Sequence, residues 1–485
     1  MPGPAVTPYL LAIDNGSQST KVTIFDSRGR ALVSARRGLR PYDTSVPGHA
    51  VHPDDDIWDS IAGACRDVMA RFAGDPAGIA AVGLCTIRFC RALLAADGSL
   101  AEPVLSWMDE RVARPWQPAS PLTRYVTTSS GYITHRLTGQ FTDAAANYQG
   151  VWPIDQDTAS WSRDPAAYAA TGMTRDMLFE LVPPGGRLGE VTAEAARATG
   201  IPAGLPVYAT ANDKAVEALG SGLEADGTVL LSLGTYIAAM TIGSSAPSTD
   251  GSYWANFAAE PGKYLYESTG IRRGMWTVSW YRALLEGSHG TEPPAGTTRL
   301  EDLLNAEASA LAPGSNGLLT VPDWLAPGDA VWRRGALLGF DGSQGRAHIY
   351  RSILEGIALT MANHTAAMER ALGRRLTPVL VSGGGSRSDL MMQIVADVFG
   401  RPARRATVSD AAGLGAAVCA AVGHGIHPDW GQATAAMVTP GAEFAPGARA
   451  ARAYQKVNQV YAGLAAFTDP LFRSMADGLQ GLERA

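Results

Sequence analysis

The chain has 485 residues, of which 46% are hydrophobic and 18% are charged, a composition typical of globular proteins. Its formal net charge of −6 leaves no basic excess that would favour a nucleic acid or an anionic membrane as a partner. The first residues show no signal-peptide pattern, no long apolar run predicts a membrane helix, and the 4 cysteines are scattered. Scattered thiols favour a reducing compartment, so we expect a cytoplasmic protein.

Short apolar segments alternate with turns and with helical patterns along the whole chain, which predicts the α/β class. A strand–turn–strand unit at the start of the chain recurs about half a chain later, a pattern that suggests a duplicated architecture. The predicted strands are residues 9–13, 22–25, 30–33, 79–84, 92–94, 206–210, 229–233, 237–242 and 378–382, and the predicted helices are residues 57–72, 214–223, 346–372, 389–399 and 410–422.

A domain boundary is expected near residues 222–227, just before the second strand–turn–strand unit. We therefore predict an N-terminal domain of residues 1–224 and a C-terminal domain of residues 225–485. A chain of this length is expected to form roughly two or three domains.

Three turns could hold a nucleotide. Asp14 ends a predicted strand and is followed by Gly16 and by hydroxyl side chains, so its carboxylate could bind Mg²⁺ while turn amides surround phosphate oxygens. Gly234 and Thr235 form a second turn, and residues 383–385 are three glycines that let a flat ligand approach the backbone. Each has a structural alternative, as a hairpin turn or a tight connection. No GxxxxGK[ST] loop and no GxGxxG fingerprint is present.

Two further segments could act on a sugar. Asp213 lies between a predicted strand and a helix, where its carboxylate could accept a proton from an attacking hydroxyl. The alternative is a helix N-cap formed by Asn212 or Asp213. Residues 107–111 combine a tryptophan, carboxylates and an arginine, which suit sugar C–H faces and hydroxyls, or else form a surface loop with one anchoring aromatic ring.

The order of these segments resembles the FGGY carbohydrate kinases, which include glycerol kinase, xylulokinase and ribulokinase. The resemblance runs from Leu10 to about Gly423. Its landmarks are Asp14-Asn15-Gly16 with Thr20 and Lys21, Trp107-x-Asp109-x-Arg111, Arg136 to Gly139 with Thr142 and Asp143, Asn212-Asp213-Lys214, Gly234-Thr235, Gly317 with Pro322, Leu354-Glu355-Gly356, Gly383-Gly384-Gly385, and Gly413 to Ala417.

The resemblance implies two actin-like (ribonuclease H-like) lobes that bind ATP and a sugar in the cleft between them. It implies that Asp213 is the catalytic base, that Asp14 associates with Mg²⁺, and that the protein forms a homodimer. The implied sugar-binding residues are Arg88, Trp107, Asp109, Arg111 and Asp213, and the implied nucleotide-binding residues are Gly16, Ser17, Thr20, Lys21, Gly234, Thr235, Gly274, Gly383, Gly384, Gly385 and Ser388.

The sequence departs from the family pattern in the expected sugar pocket. Phe89 stands where xylulokinases carry histidine and glycerol kinases carry glutamate, whereas Arg88 could match the glycerol kinase arginine. Ser388 replaces a common asparagine of the nucleotide site. A ketopentose is the first expectation for the substrate, with a tetritol, another polyol or a linear signalling sugar as alternatives. A non-catalytic sugar sensor and an actin-like ATPase switch are the alternatives of another class.

Overall fold

The computed structural model describes residues 8–223, 226–245, 251–287, 298–406 and 410–483. The predicted α/β class is confirmed by two large sheets with helices packed against them. The predicted boundary between residues 224 and 225 falls on residues outside the described ranges, and it stays a prediction. No helix in the described ranges combines the length and apolar character needed to span a membrane.

Residues 8–223 form a six-stranded sheet with its helices and several short hairpins. The elements, in chain order, are β1 (Tyr9–Asn15), β2 (Ser19–Asp26), β3 (Ala31–Gly38), α1 (Asp56–Arg71), β4 (Ile79–Thr86), β5 (Arg91–Leu94), β6 (Tyr125–Thr128), α2 (Ser129–Thr138), β7 (Thr142–Ala144), β8 (Ile154–Asp155), β9 (Ser160–Trp161), α3 (Pro165–Thr171), β10 (Glu180–Val182), β11 (Arg187–Glu190), α4 (Ala193–Thr199), β12 (Pro206–Ala209) and α5 (Asp213–Gly220).

The later part of the chain forms a seven-stranded sheet and most of the remaining helices. Its elements are β13 (Val229–Leu233), β14 (Ile237–Gly243), β15 (Tyr253–Phe257), β16 (Tyr264–Ser268), α6 (Gly274–Leu285), α7 (Thr298–Ser309), β17 (Leu319–Val321), β18 (Ala336–Leu338), α8 (Arg346–Leu372), β19 (Val379–Ser382), α9 (Asp389–Phe399), β20 (Ala403–Ala406), α10 (Ala411–His424), α11 (Trp430–Met437), β21 (Pro440–Phe444), α12 (Ala448–Tyr461) and α13 (Leu464–Glu483).

The first sheet has the strand order β11-β12-β4-β1-β2-β3. Strand β1 is antiparallel to β2 and parallel to β4, and β4 is parallel to β12. Alternate side chains of β1 point to opposite faces of the sheet, and both faces are covered, so Leu10 and Leu11 are both fully buried. Because parallel strands end at the same edge, Asp14 at the end of β1 and the segment after β12 that leads to Asp213 lie at one edge of the sheet.

The second sheet has the order β15-β16-β14-β13-β19-β20-β21. Strand β13 pairs with β14 in antiparallel and with β19 in parallel, which repeats the pairing of β1 with β2 and β4. The turn at Gly234 follows β13 and the three glycines follow β19, so both turns leave the same edge of this sheet. The fold therefore gathers the turns predicted from sequence at the edges of the two sheets.

Helix α10 comes late in the chain but packs against the first sheet, on β1 and β4, and against α5. The contact with α5 depends on two glycines that let the backbones meet. A Cβ atom added to Gly415 would lie 1.9 Å from the Val216 carbonyl oxygen, and one added to Gly220 would lie 1.9 Å from the Ala411 carbonyl oxygen. No side chain can occupy either position unless the two helices separate.

Gly415→Ala is expected to lower the free energy of unfolding by about 1–3 kcal/mol or more, because a methyl group at this position overlaps the α5 backbone. A urea denaturation curve followed by circular dichroism would measure the loss. Gly431→Ala in α11 is the matched control, because a Cβ atom added to Gly431 would come no closer than 3.6 Å to another residue, at the Asp429 carboxylate. A Gly415 variant as stable as the control would contradict the proposed close packing.

Candidate active site

Asp14 stands among other acidic groups at the end of β1. Burial raises the pKa of its carboxyl group to about 8, and the negative charges of Asp410 and Asp213 contribute to the rise, while Lys21 acts in the opposite direction. Lys21 itself is 3.3 Å from an Asp410 carboxylate oxygen, which also accepts a 2.6 Å hydrogen bond from Thr23. A positive charge bound near Asp14 would therefore favour its ionised form at neutral pH.

The site fits a magnesium ion that keeps most of its shell for water and phosphate. The described residues contain no group of three or more histidine, cysteine or acidic side chains arranged to hold a metal. Mg²⁺ is usually bound by one or two carboxylates together with water and substrate phosphates, so the Asp14 carboxylate, with the negative charge of Asp410 acting on it, suits such an ion. The metal role of Asp14 stays a prediction.

Asp213 is the first residue of α5, and the neighbouring Asn212 caps the helix. The Asn212 side-chain oxygen accepts hydrogen bonds from the Lys214 and Ala215 amides, so the cap does not depend on the Asp213 carboxylate. Asp213 Oδ1 accepts a 3.0 Å hydrogen bond from the Lys214 amide, and Oδ2 has no hydrogen-bond partner in the described ranges. Burial raises the pKa of Asp213, although the positive charges of Arg88 and Lys214 oppose the rise. The arrangement suits a proton acceptor.

Arg88 reaches from the segment after β4 to the second sheet. Its two terminal nitrogens donate hydrogen bonds of 2.7 and 2.9 Å to the carboxylate of Glu267, which lies on β16 and is fully buried. Its Nε lies 3.9 Å from Asp213 Oδ1. The structure thus places the predicted sugar-binding residue Arg88 beside the predicted base, and it adds Glu267, which the sequence did not suggest.

A buried network joins α5 to the second sheet. Lys214 Nζ donates 2.8 Å hydrogen bonds to Glu217 and to Ser232 on β13. Glu217 Oε1 accepts hydrogen bonds from Ser232 and from Ser382 on β19, both of 2.7 Å. Burial favours the protonated form of Glu217, but the charge and hydrogen bond of Lys214 outweigh it and lower the pKa of Glu217 below its usual value.

Glu217→Gln is expected to lower the free energy of unfolding by about 3 kcal/mol, because removal of its paired carboxylate leaves the largely buried Lys214 ammonium group with only the weaker attraction of Asp213 and Glu267. Chemical denaturation near neutral pH would measure the change. Glu443→Gln removes an exposed partner of Arg404 and serves as the control, with an expected change below about 1 kcal/mol. Equal effects in the two variants would contradict the role of the network.

The predicted nucleotide-binding glycines lie together at the edge of the second sheet. The Gly274 amide, at the start of α6, donates a 2.7 Å hydrogen bond to the Thr235 carbonyl, and the Met275 amide donates one to the Gly234 carbonyl. Gly383 has a φ of +81°, and a Cβ atom there would lie 2.6 Å from the Leu233 carbonyl oxygen. The three glycines, the turn at Gly234 and the buried Gly274 therefore lie next to one another. Gly383 and Gly384 are exposed, whereas Gly385 is buried.

Ser388 has two structural contacts. Its hydroxyl caps α9 by accepting a hydrogen bond from the Met391 amide, and it donates a 3.0 Å hydrogen bond to the side-chain oxygen of Asn305. The same Asn305 oxygen accepts a hydrogen bond from the Tyr350 hydroxyl. Ser388 therefore brings an asparagine side chain from α7 next to the glycine turn, and a nucleotide role for Ser388 stays a prediction.

The turn between β1 and β2 leaves Gly16 and Ser17 partly exposed but places the Thr20 side chain inside the lobe. Gly16 and Ser17 are half-buried residues of the turn between β1 and β2, and the Gly16 amide donates a 3.1 Å hydrogen bond to the Ser19 carbonyl. Thr20 is fully buried, and its hydroxyl bonds with Asn15 and Ser60 inside the lobe. The geometry favours a supporting role for Thr20, and phosphate contacts at Gly16, Ser17 and Lys21 stay predictions.

The segment 107–111 forms a loop whose charged residues bind each other. Asp109 is buried, and its carboxylate accepts hydrogen bonds from the Ala50 amide and from the amide and guanidinium group of Arg111. Trp107 is 42% exposed, so its ring is available for contact. These contacts favour a role for Asp109 and Arg111 in holding the loop, and the sugar-binding roles of Trp107, Asp109 and Arg111 stay predictions.

Sequence reasoning missed several residues of this region. Asp410 was included in a predicted helix, and its position before a glycine- and alanine-rich segment signals an N-cap, which the structure shows. Glu267 and Trp254 carry no local signal, because they come from adjacent strands whose pairing brings them opposite each other. Only the register of the sheet reveals them.

Comparison with known proteins shows the family to which the chain belongs. Models of the N-terminal domain of the FGGY family of carbohydrate kinases match residues 9–124 and 118–220, and the C-terminal model matches residues 229–424. The uncharacterized sugar kinase YgcE of Escherichia coli is 46% identical, over 98% of this chain and 96% of that protein. The xylulose kinase of Lactococcus lactis is 26% identical, over 74% of this chain and 69% of that protein.

A solved structure shows the same fold. The xylulose kinase from Rhodospirillum rubrum superposes with a TM-score of 0.80 at 24% identity, covering 96% of this chain and all of that one. The family models together span most of the chain, and their order along it agrees with the predicted motifs. The chain therefore belongs to the FGGY family of carbohydrate kinases and is an ATP-dependent sugar kinase, as its sequence predicted.

Proposed function

We propose that this kinase transfers the γ-phosphate of ATP to a primary hydroxyl of a small sugar, with Asp213 as the general base. The observation that carries the proposal is the position of Asp213, which starts α5 beside Arg88 and leaves one carboxylate oxygen without a partner in the described ranges. A second acid, Asp14, acts electrostatically on Asp213 from the end of β1. Asp213 can accept the proton, while Asp14 would hold the Mg²⁺ that accompanies the phosphates.

In this mechanism, Asp213 accepts the proton of the acceptor hydroxyl as its oxygen attacks the γ-phosphorus and the bond to the β-phosphate oxygen breaks. Backbone amides of the turns at residues 16–20 and 234–235 stabilise the charge that develops on the phosphate. Mg²⁺ near Asp14 would supply further positive charge. Gly274 and residues 383–385 would lie next to the adenosine part, and the exposed Gly383 and Gly384 would allow its close approach because they have no side chains.

The proposed acceptor is a ketopentose. The support is the similarity to the Lactococcus lactis xylulose kinase and the presence of an arginine and a base at the edge of the first sheet. Phe89, which replaces the family's histidine or glutamate, removes one polar contact for the sugar, so a tetritol, another polyol or a linear signalling sugar is the alternative. The N-terminal and C-terminal lobes are taken to divide near residue 224, and a homodimer stays a prediction.

A coupled assay of ADP release over ketopentoses, tetritols, pentitols and linear ketoses tests this proposal. We expect a ketopentose to give the highest kcat/KM, with mass spectrometry of the product showing phosphate on a primary hydroxyl. A higher kcat/KM for a polyol would show that the acceptor is a polyol and not a ketopentose. ADP release at the same rate with and without every acceptor would overturn the proposed sugar phosphorylation.

A further inference from the structure

The cations near Asp14 and Asp213 are each paired with another carboxylate. The cationic side chains that act most strongly on these two acids are Lys21, Arg88 and Lys214. Each of these cations forms an ion pair with a different acid: Lys21 with Asp410 at 3.3 Å, Arg88 with Glu267 at 2.7 Å, and Lys214 with Glu217 at 2.8 Å.

This pairing leaves Asp14 and Asp213 as the acids of the group without a close ion pair of their own, apart from the 3.9 Å approach of Arg88 to Asp213. Asp213, when ionised, therefore carries a negative charge that no closer ion pair neutralises. A carboxylate on the acceptor would place a like charge beside it, which disfavours binding.

Arg88 is the cation that could otherwise receive such a carboxylate, and Glu267 occupies it. Both guanidinium terminal nitrogens bond to the two oxygens of Glu267, the two-point geometry that an acceptor carboxylate would also use. Trp254 and Glu267 are directly paired on β15 and β16, so their side chains leave the same face of the sheet. The guanidinium carbon lies 4.8 Å from the centre of the Trp254 ring, which restricts Arg88 further.

Phe89 completes this arrangement. Its ring lies 5.9 Å from that of Trp254 and 5.3 Å from the guanidinium carbon of Arg88. Its φ of +65° is rare for an aromatic residue, and such strain persists only where the surroundings hold it. Two aromatic rings and one carboxylate from opposite sides of the cleft thus hold the Arg88 guanidinium in one position.

We propose that Glu267 makes this kinase selective for uncharged acceptors, because it occupies the guanidinium group of Arg88 and so denies an acceptor carboxylate the counter-charge of Arg88 beside Asp213. Glu267 is then a specificity-determining residue contributed by the second sheet. Selectivity of this kind arises from rejection of the wrong ligand rather than from extra contacts with the right one. The inference rests on the proposed sugar phosphorylation and narrows its acceptor class.

The test uses pairs of acceptors that differ in one terminal group: xylitol with D-xylonate, and D-glucitol with D-gluconate. We expect the native enzyme to prefer the neutral member of each pair by about 100-fold or more in kcat/KM, the range that like-charge juxtaposition gives. Equal kcat/KM values within both pairs would overturn the inference, even if a ketopentose remained the best acceptor. Loss of all acceptor-dependent ADP release would instead overturn the proposed function, so the two failures are distinguishable.

Glu267→Gln tests the residue itself. The amide keeps the size of the side chain but removes its charge, so Arg88 becomes available to an acceptor carboxylate and the preference for neutral acceptors is expected to fall about tenfold or more. Glu267→Asp keeps the charge and is expected to keep the preference. An unchanged preference in a folded Glu267→Gln enzyme would overturn the role of Glu267.

Glu443→Gln, an exposed change on β21, provides the matched control and is expected to leave the ratio unchanged. If the Glu267→Gln protein does not fold, Glu267→Ala tests the same role, since it also removes the carboxylate from Arg88 and is expected to weaken the preference. A folded Glu267→Ala enzyme with the native preference would count against the proposal.

Discussion

Asp213→Asn is expected to lower kcat by a factor of about 10²–10⁴, the range that a general base contributes. The amide cannot accept the proton of the attacking hydroxyl, whereas the α5 cap at Asn212 is independent of this side chain. Steady-state kinetics with the best acceptor of the ADP-release screen would measure the loss. Binding of an ATP analogue, followed by calorimetry, is expected to persist because Asp213 is not among the residues proposed to contact the nucleotide.

A matched control separates the loss of the base from the effect of removing any negative charge from the protein. Asp176 is an exposed aspartate paired with Arg124 in the first lobe, and Asp176→Asn is expected to leave kcat within about twofold of native. Near-normal turnover by Asp213→Asn would remove Asp213 from the base role. Loss of analogue binding together with kcat would indicate a role in nucleotide binding instead.

Asp14→Asn is expected to raise the Mg²⁺ concentration needed for half-maximal rate by about 10- to 100-fold, since the amide is a weaker ligand for a hard cation. Titration of activity with Mg²⁺ at fixed ATP would measure the shift. The control is Asp54→Asn, an exposed aspartate that contacts Arg40. An unchanged Mg²⁺ requirement in Asp14→Asn would contradict the metal role.

The same variant is expected to change the pH dependence of stability in the absence of Mg²⁺. The pKa of Asp14 is about 8 in the folded protein against an ordinary value of 3.8. Between these values the folded chain holds a proton that the unfolded chain has released, so the free energy of unfolding falls as the pH rises through this window. Asp14→Asn removes that fall and is expected to be more stable than the native protein near pH 8. Parallel stability curves for the two proteins would contradict the raised pKa.

Much of the fold could be predicted because its signals are local. The periodicity of residues 346–372 and 389–399 gives two helices whose observed bounds are the same, α8 and α9. Apolar runs gave the central strands β1, β4, β13 and β19, since both faces of these strands are buried. Strand ends were less predictable: β1 and β2 extend into the polar turn, because backbone pairing continues through Asn15 and Thr20.

The candidate site was predictable only as far as each residue carries a local signal. Asp14, Asp213 and the glycine turns stand at strand ends, where sequence indicates a turn. The side chains that set their charge environment carry no such local signal, because Asp410 contacts Lys21 from far along the chain and Glu267 contacts Arg88 across the cleft. Such contacts depend on strand register and on how the two sheets face each other, and neither is encoded within a short window.

The position of α10 has a consequence for biosynthesis. When the ribosome has released the six strands of the first sheet, residues 411–424 have not yet been translated, although they cover one face of β1 and β4. The first six strands of the second sheet, β13 to β20 without the separate β17 and β18, are therefore synthesised while the face of β1 and β4 that α10 covers still lacks this helix, a state that exposes apolar surface to chaperones. The first sheet completes its packing only after most of the second has been made.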